Sequence, residues 1–333
     1  MKQEFIILNE ERKVTLAAYT QKVEGKFRYI HKRPAILILP GGGYQYCSER
    51  EADPVAFAYL KAGYQVFILN YSVAEHCTWP NPLDDVEMAM EMIRTREDWN
   101  VYPDKVAVIG FSAGGHLAAA AATMSKNRPN AAVLGYAISG SDVRICSPTA
   151  PDTTKYVDKN TCPCFLFATR TDDIVLVQNS IDFMSALNKA NIAFESHIYA
   201  YGPHGFSTAD SSIHYQGTPI CERTPNWVAD SIGWLKDIFG DFGDGQMTEP
   251  VCKPYNTGDN DPYLSAQCTI GCILSNPRGR AVLGERADQL EANTEVIDII
   301  RKMVLKGALG FVGVPQEKIE EVDAQLREIP NNL

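Results

Sequence analysis

At 333 residues, 45% of them apolar and 22% charged, the chain can bury a large core without a disulfide or metal staple. A formal net charge of −10 with no basic stripe excludes nucleic acid as a partner, because such binding draws on clustered Lys and Arg. Nine cysteines, odd in number and irregularly spaced, make a poor disulfide framework and point to reduced thiols. In chain order, Phe5–Leu8 and Val14–Tyr19 read as close, antiparallel edge strands, and Ala35–Leu39 (AILIL) as a buried strand ending at Pro40 and three glycines. Asp53–Ala62 reads as a helix and Tyr64–Leu69 as the next strand. Asn81-Pro82 opens a further helix, with Asn81 as its expected N-cap.

Lys105–Ile109 (KVAVI) is a strand and Gly115–Met124 an Ala-rich helix. Strand-like runs follow at Ala131–Ile138, Phe165–Ala168 and Phe194–Tyr199, with helices at about Val175–Ala190 and Trp227–Phe239. This alternation predicts an α/β protein with a mostly parallel sheet covered on both faces. Functional residues then belong beyond the carboxyl ends of the strands. Composition changes after Phe242: Gly243–Asp261 is rich in Gly, Pro, Asn and Asp and reads as a linker. Helical patterns follow at about Pro262–Leu274, Arg278–Glu285, Thr294–Leu305 and Pro315–Leu326, the last opened by Pro315 at its first position. The reading is a main domain over residues 1–245, then a linker and small helical domain over 246–333.

Gly110-Phe111-Ser112-Ala113-Gly114 is a Gly-x-Ser-x-Gly pattern between a strand and a helix. Its three fixed positions recur by chance about once in ten chains of this length, so the flanking elements carry the argument. A tight strand-to-helix turn lifts the Ser112 hydroxyl above the sheet, and the Ala113 N–H at the helix start can stabilise an oxyanion. Pro40-Gly41-Gly42-Gly43-Tyr44 follows a buried strand, and Gly42 and Gly43 are the expected further oxyanion donors. No Lys-Ser/Thr pair follows to make a phosphate cradle. Past the strand at Phe165–Ala168 stand Asp172 and Asp173, one of which can orient an imidazole while the other caps a helix; spacing does not choose between them. His204, in Tyr201-Gly202-Pro203-His204-Gly205-Phe206, is the candidate base, and His116 packs locally. His31, His76, His197 and His214 lack such contexts. Tyr44, Tyr46 and Trp79 are candidate walls of a substrate pocket, although aromatic residues are more often core.

Taken together, PGGGY with SEREADPVAFAYLKAGYQVFILNY, GFSAGGHLAA, ATRTDDIVLVQNS and YGPHGFS resemble the bacterial acetyl esterase and acetyl-xylan-esterase-like branch of the α/β hydrolases. The resemblance runs from about Ile36 to Trp234. It implies the α/β-hydrolase fold and a serine esterase that hydrolyses short-chain, chiefly acetyl, esters on carbohydrate such as acetylated xylo-oligosaccharides. The family's Asp-x-x-Val pattern maps the acid onto Asp172, with Leu176 standing where Pro usually follows the Val. Ser112, Asp172 and His204 become the implied triad, with Gly42, Gly43 and Ala113 around the oxyanion. A longer insertion is usual where this chain has only about Ser139–Pro163, which implies a more open site or one roofed by another segment.

No cofactor and no metal are expected. Cys162 and Cys164 are too close for a zinc motif, and no further Cys or His pair completes Cys268 and Cys272. The expected partner is a small ester substrate, with a homo-oligomer allowed and no nucleic acid or membrane. Met1–Phe5 lacks a signal-peptide layout and no apolar run approaches the ~20 residues of a bilayer span, so a cytoplasmic location is expected. Two rival readings share the fold: an arylformamidase-like amide hydrolase, and a non-catalytic binding or scaffold protein.

Overall fold

A computed structural model describes residues 1–213, 217–243, 246–292 and 296–331. Residue 245, at the domain boundary drawn from composition, lies outside these, as do His214 and Thr294. The described chain divides into two compact units, Met1–Pro254 and Tyr255–Leu333.

The first unit is built on an eight-stranded sheet. Its strands are β1 (Lys2–Asn9), β2 (Val14–Thr20), β3 (Arg33–Leu39), β4 (Gln65–Asn70), β5 (Val101–Phe111), β6 (Ala131–Gly135), β7 (Cys164–Thr169) and β8 (Phe194–Tyr199). They lie in the order β1-β2-β4-β3-β5-β6-β7-β8. β1 and β2 form the antiparallel edge, and β2 runs antiparallel to β4. From β4 to β8 every neighbour is parallel. Every residue of β3 is buried, which is why its AILIL run shows no alternation.

Helices α1 (Asp53–Lys61) and α5 (Asn226–Phe239) cover one face, where Tyr59, Trp227 and Trp234 pack on Ile36, Ile109, Phe165 and Phe167. Trp227 stacks on Phe167 with ring centroids 4.0 Å apart. Helices α2 (Asn81–Thr95), α3 (Ala113–Met124) and α4 (Gln178–Lys189) pack on the same central strands, and the alternate residues Leu37, Phe67 and Val108 are buried as well. β6 is shorter than expected. It ends at Gly135 because Tyr136 turns into positive φ (34°), its N–H still bonding to Phe167 O at 2.7 Å. Asn81 is not the N-cap of α2: Pro80 holds that position, and the Asn81 amide donates instead to His76 O at 3.1 Å.

In the second unit, α6 (Ile270–Ser275), α7 (Pro277–Leu283), α8 (Glu285–Ala292), α9 (Ile297–Ile300), α10 (Leu305–Phe311) and α11 (Gln316–Leu326) enclose a core of Leu264, Ile270, Ile273, Leu305 and Leu326. Thr269 caps α6 by accepting from Cys272 N, and Asn276 caps α7 by accepting from Arg278 N and Gly279 N. Pro315 precedes α11 as its N-cap residue and does not take the first helical position. Among the described residues, no helix is long and apolar enough to cross a membrane.

The β5–α3 junction leaves no room for side chains. A Cβ on Gly110 would stand 2.0 Å from Gly114 O, and one on Gly114 2.1 Å from Leu39 O. Gly110→Ala must therefore move backbone, and it should cost about 2–4 kcal/mol of stability. Urea unfolding of the variant beside the wild type measures this; an unchanged midpoint would mean that the junction is loosely packed.

Candidate active site

β5 ends at Phe111 and α3 begins at Ala113, so Ser112 alone makes the turn, at φ 53° and ψ −117°. Side chains rarely adopt that conformation, and the surroundings hold it. Ser112 N donates to Gly135 O (3.0 Å), while Ser112 O accepts from His116 N (3.0 Å) and Ile138 N (3.3 Å). Fixed at both ends, the turn presents the Ser112 side chain at the carboxyl end of the sheet.

His204 comes from the loop after β8, and Asp172 from the loop after β7. The His204 Nδ1–H donates to Asp172 Oδ2 (2.7 Å), which leaves Nε2 to accept from Ser112 Oγ (2.9 Å). The Asp172 side chain is fully buried and that of His204 is 18% exposed. Asp172 Oδ1 also accepts from Ile174 N (3.0 Å) and Val175 N (2.9 Å), so one carboxylate both turns its loop and holds the imidazole. Asp173 is exposed. The two roles that spacing distributed between neighbouring aspartates fall together on Asp172. The edge of the Tyr136 ring packs against His204, with centroids 5.1 Å apart.

Ser112 and His204 open into a cavity of about 440 Å³, which Gly42, Gly43 and Ala113 also line. Gly42 has φ 128°, and a Cβ there would stand 2.1 Å from Tyr46 O, so this turn requires glycine. Tyr46 lines the cavity and is exposed. The short Ser139–Pro163 connection borders the cavity through Ile145 and Cys146, and Arg50, Ile138 and Ile174 complete much of the wall.

Tyr44 and Trp79 are not part of that wall. Tyr44 is fully buried beneath the glycine loop, where its hydroxyl donates to His116 Nδ1 (2.7 Å). Trp79 packs edge-on against the same imidazole at 5.7 Å. Both aromatics follow the commoner pattern and serve packing. Glu51 carries no motif of its own and was not singled out by sequence. It is buried, accepting from Gly41 N (2.7 Å) and from the Tyr136 hydroxyl (2.6 Å). Its only sequence signal is its place inside SEREADP, where an acid beside a helix start reads as a first-turn charge.

One group of possible metal ligands stands out among the described residues. Asp259, Cys268 and Cys272 bring one ligand atom each to within 4.8 Å of one another, so the cysteine pair does have a third donor nearby. Asp259 is already engaged as acceptor of Thr269 N (2.6 Å) and Thr269 Oγ1 (2.9 Å). None of the nine cysteines is in a disulfide.

His116 is fully buried in the first turn of α3, its N–H donating to Ser112 O. Its Nε2–H donates to Pro151 O (2.8 Å) while Nδ1 accepts from Tyr44, so the neutral ring is satisfied. Burial lowers its pKa from 6.5 to about 4, against a smaller upward pull from the Pro151 carbonyl. The folded state therefore keeps this ring neutral where the unfolded chain would take up a proton. Stability from this group is present above its ordinary pKa and is lost as pH falls from 6.5 towards about 4. His116→Gln should be less stable than wild type at neutral pH, with the gap narrowing across that window. Unfolding free energies of both proteins against pH check this; a constant gap would refute the buried neutral imidazole.

The BD-FAE family model matches residues 28–131, the segment that holds the glycine loop and the Ser112 turn. The chain is similar to an α/β-hydrolase enzyme from a Medee basin deep-sea metagenome, with 40% identity and a TM-score of 0.64, covering 72% of this chain and 98% of that one. It is 30% identical over 223 residues to endo-1,4-beta-xylanase B of Butyrivibrio fibrisolvens, covering 56% of this chain and 35% of the relative. It is 32% identical over 196 residues to an acetylxylan esterase of Xylanibacter ruminicola, covering 52% and 41%. The chain thus spans less than half the length of either curated relative. A sheet of this order, a serine on a strained strand-to-helix turn and a histidine and aspartate from later loops define an esterase-like hydrolase architecture. The chain belongs to the α/β-hydrolase family.

Proposed function

We propose that the chain is a serine carboxylesterase that removes short acyl groups, acetyl above all, from carbohydrate such as acetylated xylo-oligosaccharides. The observation that carries the proposal is the relay from Ser112 Oγ through His204 to the buried Asp172, at 2.9 and 2.7 Å, opening into a cavity. His204 takes the Ser112 proton as Oγ attacks the ester carbonyl carbon. The carbonyl oxygen becomes an oxyanion held by the N–H groups of Gly42, Gly43 and Ala113, where each donor is worth about 10²–10³ in rate. His204 then returns the proton to the departing alcohol oxygen, leaving an acyl-enzyme. Water attacks the acyl-enzyme with His204 again as base, releasing the acid and restoring Ser112. Asp172 holds Nδ1 protonated throughout and supports the imidazolium charge. The acetyl-carbohydrate substrate rests on the names of the two relatives, an acetylxylan esterase and a xylanase.

Ser112→Ala should abolish turnover. Asp172→Asn should lower kcat by about 10⁴, since an asparagine amide favours the wrong tautomer. Asp173→Asn should stay within about threefold of wild type, as expected of an exposed residue off the relay. Steady-state kinetics on p-nitrophenyl acetate make the comparison, and equal losses in the two Asp variants would overturn the assignment of the acid.

Substrate is tested by acetate release from acetylated xylo-oligosaccharides, wild type beside Ser112→Ala. Rapid release that vanishes in the variant is the expected result. Cleavage of p-nitrophenyl acetate without release from the oligosaccharide would keep the serine mechanism and discard the carbohydrate ester. Fast hydrolysis of N-formylkynurenine in that case would move the reading to an amide hydrolase.

A further inference from the structure

We infer that Glu51 is a positioning residue: through Tyr136, its buried carboxylate locks the glycine loop and the His204 loop into one registered unit. The inference rests on the proposed roles of Ser112, His204 and the glycine loop. Glu51 is 4% exposed, and its two oxygens point in different directions. Oε2 accepts from Gly41 N, the residue before the two glycines that line the cavity, at 2.7 Å. Oε1 accepts from the Tyr136 hydroxyl at 2.6 Å. The same hydroxyl accepts from Ser207 N at 3.1 Å, three residues past His204, and the Ser207 hydroxyl returns to Arg50 O. Tyr136 follows the strand whose Gly135 carbonyl accepts from Ser112 N, and its ring packs on His204. The glycine loop and His204 are therefore within two contacts of this carboxylate, and Asp172 is a third contact away through His204.

Packing alone does not call for an acid here. A buried carboxylate is costly unless it is fully hydrogen-bonded, and an apolar side chain would fill the same space more cheaply. Two strong charge-assisted bonds are what a carboxylate adds, and both end on elements that must keep a fixed separation. The glycine loop, bent at Gly42 and Gly43, has little stiffness of its own, and a misplacement of about 1 Å can cost on the order of 10² in rate.

The charge also matters to His204. The base faces Asp172 at Nδ1 and the Tyr136 ring, with Glu51 contributing a second negative charge through space. Around Glu51 lie Arg50, and Tyr136, Tyr71 and Cys47, whose pKa values burial raises. Burial raises the Glu51 pKa, while the bonds from Tyr136 and Gly41 oppose this. The bonds from Gly41 N and the Tyr136 hydroxyl are the route by which this carboxylate sets the position of the base and of the glycine loop.

Glu51→Gln and Glu51→Ala in the full chain test the inference, with Tyr136→Phe as a third variant. Fluorophosphonate labelling of Ser112 in the wild type comes first. Its failure would sink the serine-esterase reading and leave Glu51 nothing to position. With labelling in hand, Glu51→Ala should lose about 10- to 100-fold in kcat with KM within about twofold. Glu51→Gln keeps the side-chain volume and one acceptor, so it should lose less in kcat than Glu51→Ala, again with KM within about twofold. Tyr136→Phe, which removes the bond to Glu51 Oε1, should likewise lower kcat with KM within about twofold. Variants that only melt earlier, with wild-type kcat at temperatures where they are folded, would show an ordinary structural acid and overturn the inference.

Discussion

Everything in the site follows from one strained residue. Ser112 is held at positive φ because β5 stops and α3 starts with nothing between them but itself, and because the backbone groups of Gly135, His116 and Ile138 clamp its two peptide units. The clamp closes only if strand and helix approach more nearly than side chains allow, hence glycine at 110 and 114. The local conformation is unfavourable and the packing around it overdetermines it. The result is an oxygen raised above the sheet at a helix N-terminus.

Around that fixed point the other groups arrive on loops, and loops need restraints. Asp172 solves part of this by serving two ends with one side chain: one oxygen accepts two N–H groups of its own turn, the other accepts from His204. A carboxylate so bound has little freedom to rotate, so the imidazole inherits its orientation. Glu51 and Tyr136 do the same for the opposite wall. The site is thus braced by buried acids on two sides, each with both oxygens engaged, which is the condition for tolerating such groups in a protein interior. In the first turn of α3, His116 meets the same requirement as a neutral ring between Tyr44 and Pro151.

The parallel sheet, its antiparallel edge and the strand-end placement of the site were legible from the sequence, because apolar runs such as AILIL and KVAVI report burial directly and their alternation with helices leaves few topologies. Boundaries were less so. β6 ends three residues early because Tyr136 must turn, and Pro80 rather than Asn81 is the N-cap of α2, the Asn81 amide donating to His76 O. Neither fact has a local signature. Tyr44 and Trp79 look like pocket aromatics beside a glycine loop, yet both pack on His116, a residue 72 positions from Tyr44.

What the sequence by itself determined is the chemistry that depends on local backbone: a serine on a strand-to-helix turn, a glycine-rich bend after a buried strand, and a histidine between glycines. Each is encoded within a few residues, since each needs a particular φ or a close approach. What only the tertiary structure decided is partnership. Spacing left Asp172 and Asp173 open and the family resemblance favoured Asp172; the fold turns the Asp172 side chain into the protein, where it bonds His204, and leaves Asp173 exposed. Glu51 was distinguished from a surface acid by a tyrosine 85 residues away and a backbone N–H in another loop. Hydrogen bonds between distant loops leave no periodicity or spacing in the chain, and so only the folded arrangement can show them.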